Sequence, residues 1–319
     1  MNPILKKTLS IAIPMLIGVG LIVWQYNQFN QEQLLEIKNY FKTADYRYIV
    51  ISTVLSVVSL ASRGYRWKYS LAYMGYQSSF INNFLAVNIS YFMNLTIPRS
   101  GEVSRALVLK RYDNIPFDKG FGTIIAERII DLVLLVLFVL MALVLEFKAL
   151  KSFLTELIPF EKLLILGVIG VVGFFVFVYL MIYSKNAWFL WFKNKISGLV
   201  EGLLSVFKMP NKWWFLFHTL VIWGSYLYTF YIAVFALPET SGVTFGQMSV
   251  AFIAGSLAVT FTNGGIGAFP VFTAQALFLF GIAMTAGTAF GWILWASQTA
   301  LLIILGGLSF MLLPLFNKK

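Results

Sequence analysis

The chain has 319 residues, of which 59% are hydrophobic and 12% charged, and a formal charge of +11. Soluble domains carry about 25% charged residues, and no Asp, Glu, Lys or Arg occurs between Glu239 and Lys318, so that stretch cannot face water. With no cysteine and one histidine, His218, thiolate metal sites, disulfides and Cys/His or Ser/His catalysis lack their parts. Nucleic-acid binding is not expected, because no basic aromatic module accompanies the charge.

Apolar runs long enough to cross about 30 Å of hydrocarbon fall at 8–24, 48–62 (extending toward 72), 121–145, 162–184, 213–236, 246–262, 266–282 and 287–315. The expected fold is therefore all-α, a single integral-membrane domain over 1–319 with about eight transmembrane helices. The first run follows Lys6 and Lys7 but ends at Trp24, Gln25 and Tyr26 with no small-residue cleavage site, and so reads as an uncleaved span.

Segment 78–97 differs from the others: it carries Asn82, Asn83, Asn88 and Asn94 and stops at Pro98. Eight spans with the N-terminus inside put 17 basic residues on the inner side and 6 outside. A full crossing by 78–97 would move the lysines of 185–212 outward, against the positive-inside rule. The segment is expected to be re-entrant or interfacial. Segment 185–212, with Trp188, Trp191 and Phe192 among lysines, reads as a helix in the headgroup plane. The count predicts that both termini are cytoplasmic.

Three places could carry chemistry. Glu127, Arg128 and Asp131 sit in an apolar helix, where three charges at the bilayer centre would cost about 7–10 kcal/mol, so they need partners or a wet cavity. Residues 94–105 run Asn-Leu-Thr-Ile-Pro-Arg-Ser-Gly-Glu-Val-Ser-Arg. Pro98 and Gly101 break one helix, Ser100 is a candidate N-cap for the next, and Arg99, Glu102 and Arg105 follow at spacing three. Two guanidiniums beside a helix N-terminus suit a phosphodiester. The third place is a broken helix near 263–270, where Asn263, Gly264, Gly265 and Gly267 precede Pro270. Each half of the chain thus has an Asn followed by a Gly/Pro break, the pattern of a transporter site between repeats.

NLTIPRSGEVSRALVLKRY, then ERIIDLVLLVL, then NGGIGAFP resemble the flippase-like transmembrane domain of lysylphosphatidylglycerol synthases, over roughly 5–315. The resemblance implies movement of a phospholipid, anionic or aminoacylated phosphatidylglycerol-like, from inner to outer leaflet. The soluble aminoacyltransferase domain of those relatives is absent here, so no enzyme activity is expected, and neither cofactor nor metal.

In this reading Arg99 and Arg105 hold the phosphate, with Glu102 beside them. Glu127 and Asp131 meet a cationic headgroup group or hold Arg128. Asn94, Asn263 and the backbone of Gly264, Gly265 and Gly267 supply neutral hydrogen bonds. The expected partners are phospholipid, the membrane, and either a second copy of the chain or a separate lipid-modifying transferase. The competing reading is a membrane scaffold that binds a lipid-linked intermediate for a transferase without transporting it.

Overall fold

The computed structural model describes residues 3–97, 100–157, 160–184, 186, 189–191, 193, 204, 206–262 and 264–318. Among these there is no strand, and the chain is an all-α polytopic membrane protein. Its helices are α1 (Pro3–Tyr26), α2 (Gln31–Thr43), α3 (Tyr46–Tyr73), α4 (Phe80–Thr96), α5 (Ser100–Tyr112), α6 (Phe117–Leu145), α7 (Phe147–Leu157), α8 (Phe160–Tyr183), α9 (Lys212–Ala233), α10 (Phe245–Phe261), α11 (Ala268–Phe278) and α12 (Met284–Phe316). Helices α3, α6, α9 and α12 are long and apolar enough to cross a membrane.

Two pairs of helices turn back on themselves, from opposite ends of the bundle. Helix α4 starts at an N-cap, Ser79, whose hydroxyl accepts from the Asn82 amide. It then packs antiparallel to α5. At the far end of this hairpin Gly101 lies against Ser90 and Asn94; at its open end Asn82 Nδ2 donates to Asp113 Oδ1 and Asn317 Oδ1 (2.9 and 3.0 Å). The start of α4 and the end of α5 therefore both sit beside the C-terminus of α12. Segment 78–97 is thus one helix, and the chain returns through α5 rather than within that segment.

The second hairpin comprises α10 and α11. Thr244 and Gln247 close a capping box at its start, next to Glu146 at the end of α6. Gly255 packs against Phe269 and Thr273 as the chain comes back. The turn into α12 then places Thr288 within 2.9 Å of Gln25 at the end of α1. So 246–262 and 266–282 form a hairpin that opens at the end opposite the first, rather than two successive crossings. The reason is length and packing. At 1.5 Å per residue, the 11 residues of α11 rise only about 16 Å, half the hydrocarbon thickness.

The tips of the two hairpins meet inside the bundle, where Leu95 abuts Gly264. Gly264, Gly265 and Gly267 all have positive φ (62°, 78° and 68°), a region that L side chains avoid. Gly267 also presses on the Gly18 carbonyl of α1, so this turn requires glycine for conformation and for space.

Each end of the bundle has its own apolar core. Beside the first hairpin's open end, Trp67, Leu71, Ala106, Leu109 and Ile124 are buried together. At the other end Phe230, Phe252, Leu277, Ala286 and Phe290 pack with Tyr40 of α2. Of segment 185–212, Val206 and Met209 pack against Ile130 and Phe215, while Trp188 and Phe192 lie outside the described residues.

The hairpin packing makes a prediction. A Cβ on Gly101 would overlap the Ser90 carbonyl oxygen and crowd the Asn94 amide, whereas nothing lies within 4 Å at Gly122. Gly101→Ala is expected to destabilise by about 1–3 kcal/mol. Gly122→Ala should be neutral or stabilising by up to about 1 kcal/mol. Thermal unfolding in mild detergent separates the two.

Candidate functional site

Helix α3 carries a polar stripe at spacing four and three, Ser52, Ser56, Ser59, Arg63, Arg66 and Ser70, buried except at the half-buried Ser56. The stripe faces α6 and α9. Asp131 of α6 receives Arg63 Nη1 at 3.0 Å and Arg66 through both Nη1 (2.8 Å) and Nη2 (3.1 Å). Trp223 of α9 adds an indole N–H at 3.3 Å. One helical turn away, Glu127 Oε2 accepts from Arg105 Nη1 at 3.0 Å and lies 3.6 Å from Arg66 Nη2. The Arg105 guanidinium also lies 3.7 Å from the Trp67 ring centroid, a close cation–π contact, and Trp67 is itself fixed by donating to Thr123 Oγ1 at 2.9 Å.

These five charged groups are buried, with Arg66 and Glu127 at 0% and 1% side-chain exposure. Arg63 lies about 15 Å from the end of its helix, too far to reach interfacial water by extension. Each charge is tolerated there because its partner is in place.

Arg128 behaves differently. Its side chain makes its ion pair elsewhere and is 42% exposed. Nη2 donates to Glu102 Oε1 of α5 at 2.6 Å, which joins the first hairpin to α6.

Above the cluster is a cavity of about 470 Å³, within the usual range of about 300–1,000 Å³ for small-molecule sites. Arg63, Arg128 and Asp131 form its charged floor. Tyr91 of the first hairpin and Tyr226 of α9 line it with hydroxyls 2.9 Å apart, and Tyr226 also receives Arg63 Nη2 at 3.2 Å. Higher up, Ser56 donates to Gln298 Oε1 at 2.6 Å, while the buried Gln298 Nε2 has no partner. Phe252, Phe269 and Leu294 supply apolar wall. Leu132 of α6 and Val259 of α10, both exposed, flank its mouth. There the cavity is open between α6 and α10, which meet deeper in at Phe138 against Phe252. The site is a largely apolar chamber with a polar floor, built where two opposed hairpins converge.

The structure reassigns several of the expected site residues. Arg105 does not wait for a phosphate: it is buried, paired with Glu127 and stacked on Trp67. Asn94 Oδ1 accepts from the Gly101 amide at 2.8 Å and so caps α5. Ser100, the expected cap, instead donates to the Met93 and Ile97 carbonyls. Glu127 and Asp131 face basic partners, but Arg128 is not among them, since Glu102 holds it.

The glycines of the second tip are also engaged. The Gly264 carbonyl accepts from Trp295 Nε1 at 2.8 Å, and Gly265 and Gly267 are packed tightly. Arg99 and Asn263 lie outside the described residues. Arg63 and Arg66 lie past the apolar core of the run at 48–62, yet both are buried on a helix that continues to Tyr73, as its extension toward 72 allows. The four-and-three stripe was the signal that the helix continues.

These features define a polytopic helical membrane protein with a laterally open, amphipathic chamber. The chain belongs to the lysylphosphatidylglycerol synthase TM region family, whose model matches residues 11–307. It is similar to a UPF0104 membrane protein of Methanocaldococcus jannaschii, 30% identical over 96 residues that make up 29% of each chain. It is also similar to the glycosyltransferase AglD of Haloferax volcanii, 35% identical over 30% of this chain and 16% of that protein. A UPF0104 membrane protein of Pyrococcus horikoshii is 29% identical over 31% of each chain. The chain thus spans less than a third of each of these relatives in the matched regions. No solved structure matches significantly.

The pairing geometry is testable by melting temperature. Arg105→Leu or Glu127→Leu alone strands a buried charge and should cost about 3–5 kcal/mol. The double leucine variant removes both charges and is expected to cost less than either single change.

Proposed function

We propose that this membrane domain carries a phospholipid headgroup between leaflets through the chamber, with the acyl chains remaining outside in the bilayer. The observation that carries the reading is the chamber's sideways mouth between Leu132 and Val259 above a floor containing Arg63 and Arg128. A headgroup needs polar ligands in the hydrocarbon, and its tails need an apolar exit; this chamber offers both. The membership of a family described by a lipid synthase's membrane region supports a lipid as cargo. Two hairpins entering from opposite ends and meeting at their tips give a layout in which one side can open while the other stays closed.

In this reading the end with 73–79, 112–116 and 207–211 is cytoplasmic, and movement runs from inner to outer leaflet of the plasma membrane. Lys110, Arg111, Lys119 and Lys208 belong to that end, as the positive-inside rule asks. Three of the 17 basic residues first counted there, Arg63, Arg66 and Arg105, are spent in the buried cluster, yet the excess persists. The chain acts as a carrier and performs no covalent step.

The similarity to a glycosyltransferase favours one other reading, a non-transporting membrane partner that holds a lipid for a transferase. The two diverge in reconstituted vesicles. A carrier transfers headgroup-labelled phosphatidylglycerol between leaflets, and Arg63→Gln, which removes a floor guanidinium, should slow transfer at least tenfold. A holding protein gives wild-type vesicles no faster than protein-free ones.

Orientation is checked separately. The chain is free of cysteine, so Lys110→Cys and Lys148→Cys each introduce a single thiol. An impermeant reagent applied to intact cells is expected to label position 148 and not 110.

A further inference from the structure

The chamber's charge balance and one half-exposed ion pair go further than lipid transport in general. The cluster gathers four guanidiniums (Arg63, Arg66, Arg105 and Arg128) and three carboxylates (Glu102, Glu127 and Asp131). It is one positive charge in excess. Asp131, the carboxylate lining the chamber, already accepts from two guanidiniums and an indole. Among the described residues Asp131 is therefore the one carboxylate that lines the chamber, and it is already saturated; the unpartnered oxygens Glu102 Oε2 and Glu127 Oε1 are buried outside its lining.

Arg128 is the guanidinium with room to act. Its side chain is 42% exposed where Arg63, Arg66 and Arg105 are 5% or less, and it lines the chamber floor. A guanidinium carries five donors in a planar fork, and Glu102 engages Nη2. Glu102 Oε2 is buried without a partner, so Glu102 meets Arg128 through one oxygen only. Across the chamber the Gln298 Nε2 donor is buried and unpartnered, an unfilled place for an acceptor oxygen.

We infer that the chamber selects an anionic phosphodiester headgroup over zwitterionic or aminoacylated ones, and that Arg128 is its phosphate ligand, with Glu102 occupying Arg128 when the chamber is empty. The inference rests on the lipid-carrier reading and names its substrate class. A phosphodiester bearing one negative charge brings the cluster to neutrality. A lysyl ester would add positive charge to a floor already in excess, and an ethanolamine headgroup would leave the excess in place. Glu102 is then a competitor: it keeps Arg128 paired in a low-dielectric site and yields its place to the phosphate.

The test is binding, independent of transport. Phosphatidylglycerol, phosphatidylethanolamine and lysylphosphatidylglycerol with identical chains are offered to the purified protein in mild detergent, and retained lipid is measured by native mass spectrometry. The wild type is expected to retain phosphatidylglycerol about tenfold better than the other two. Arg128→Gln should lose about tenfold on phosphatidylglycerol and little on phosphatidylethanolamine. Arg128→Lys should recover part of the loss, because the ammonium keeps the charge without the fork.

Glu102→Gln, which removes the competitor, should retain more phosphatidylglycerol than wild type. If Arg128→Gln fails to fold, Glu102→Gln decides alone: unchanged or lower retention overturns the inference. Lysylphosphatidylglycerol bound as well as phosphatidylglycerol would overturn it too, as would an Arg128→Gln loss shared equally by all three lipids. Soluble glycerophosphate is added as the same chemistry without tails, and displacement at equal potency would reassign the chamber to a free organic phosphate. Leaflet transfer without the anion preference removes this inference and keeps the carrier reading. The preference without transfer does the reverse.

Discussion

Five charged side chains buried between α3, α5 and α6 set the terms for the rest of the molecule. An isolated charge of this kind in hydrocarbon costs several kcal/mol, and here each meets an opposite charge from a different helix. Asp131 cannot sit on α6 unless α3 brings Arg63 and Arg66 to it. Glu127 cannot be buried unless α5 folds back to deliver Arg105. The ion pairs thus act less as a source of stability than as a constraint on arrangement. A packing that misplaces one helix strands a charge, so competing packings are penalised heavily.

That constraint explains why the first hairpin is re-entrant. Helix α5 must return toward its own starting end for Arg105 to meet Glu127 and Trp67, and Gly101, capped by Asn94, permits the close approach that the reversal needs. The second hairpin solves the same geometric problem without charge. Three glycines turn the chain, and a carbonyl freed by the turn is taken up by Trp295. Irregular backbone at this depth is tolerated because protein surrounds it. The chamber lies where the charged solution on one side meets the uncharged one on the other, which gives it a polar floor and largely apolar walls.

Membrane class, helical composition and the existence of two interrupted segments were legible in the sequence, because they depend on local quantities: hydropathy over a span, and Gly and Pro at defined offsets. The need of Glu127 and Asp131 for buried basic partners was legible too, since the cost of a bare carboxylate in lipid does not depend on the fold. The identity of those partners was not. Arg105 looked available because it lies near a helix break, and Arg63 and Arg66 lie past the apolar core of the run at 48–62. Only their partners on α6 make them tolerable inside.

By itself the sequence determined that the chain is an all-α membrane protein and that charge in α6 must be neutralised. Each follows from the free energy of moving a segment or a group out of water. Tertiary structure decided that 246–282 turns back as a hairpin, that Arg128 pairs with Glu102 rather than with Asp131 three residues away, and that Tyr91, Trp223, Tyr226 and Gln298 share one chamber. Those residues are far apart along the chain and carry no local signal. Their proximity is set by which helix faces close against one another, and that is fixed by the pairing of distant charges.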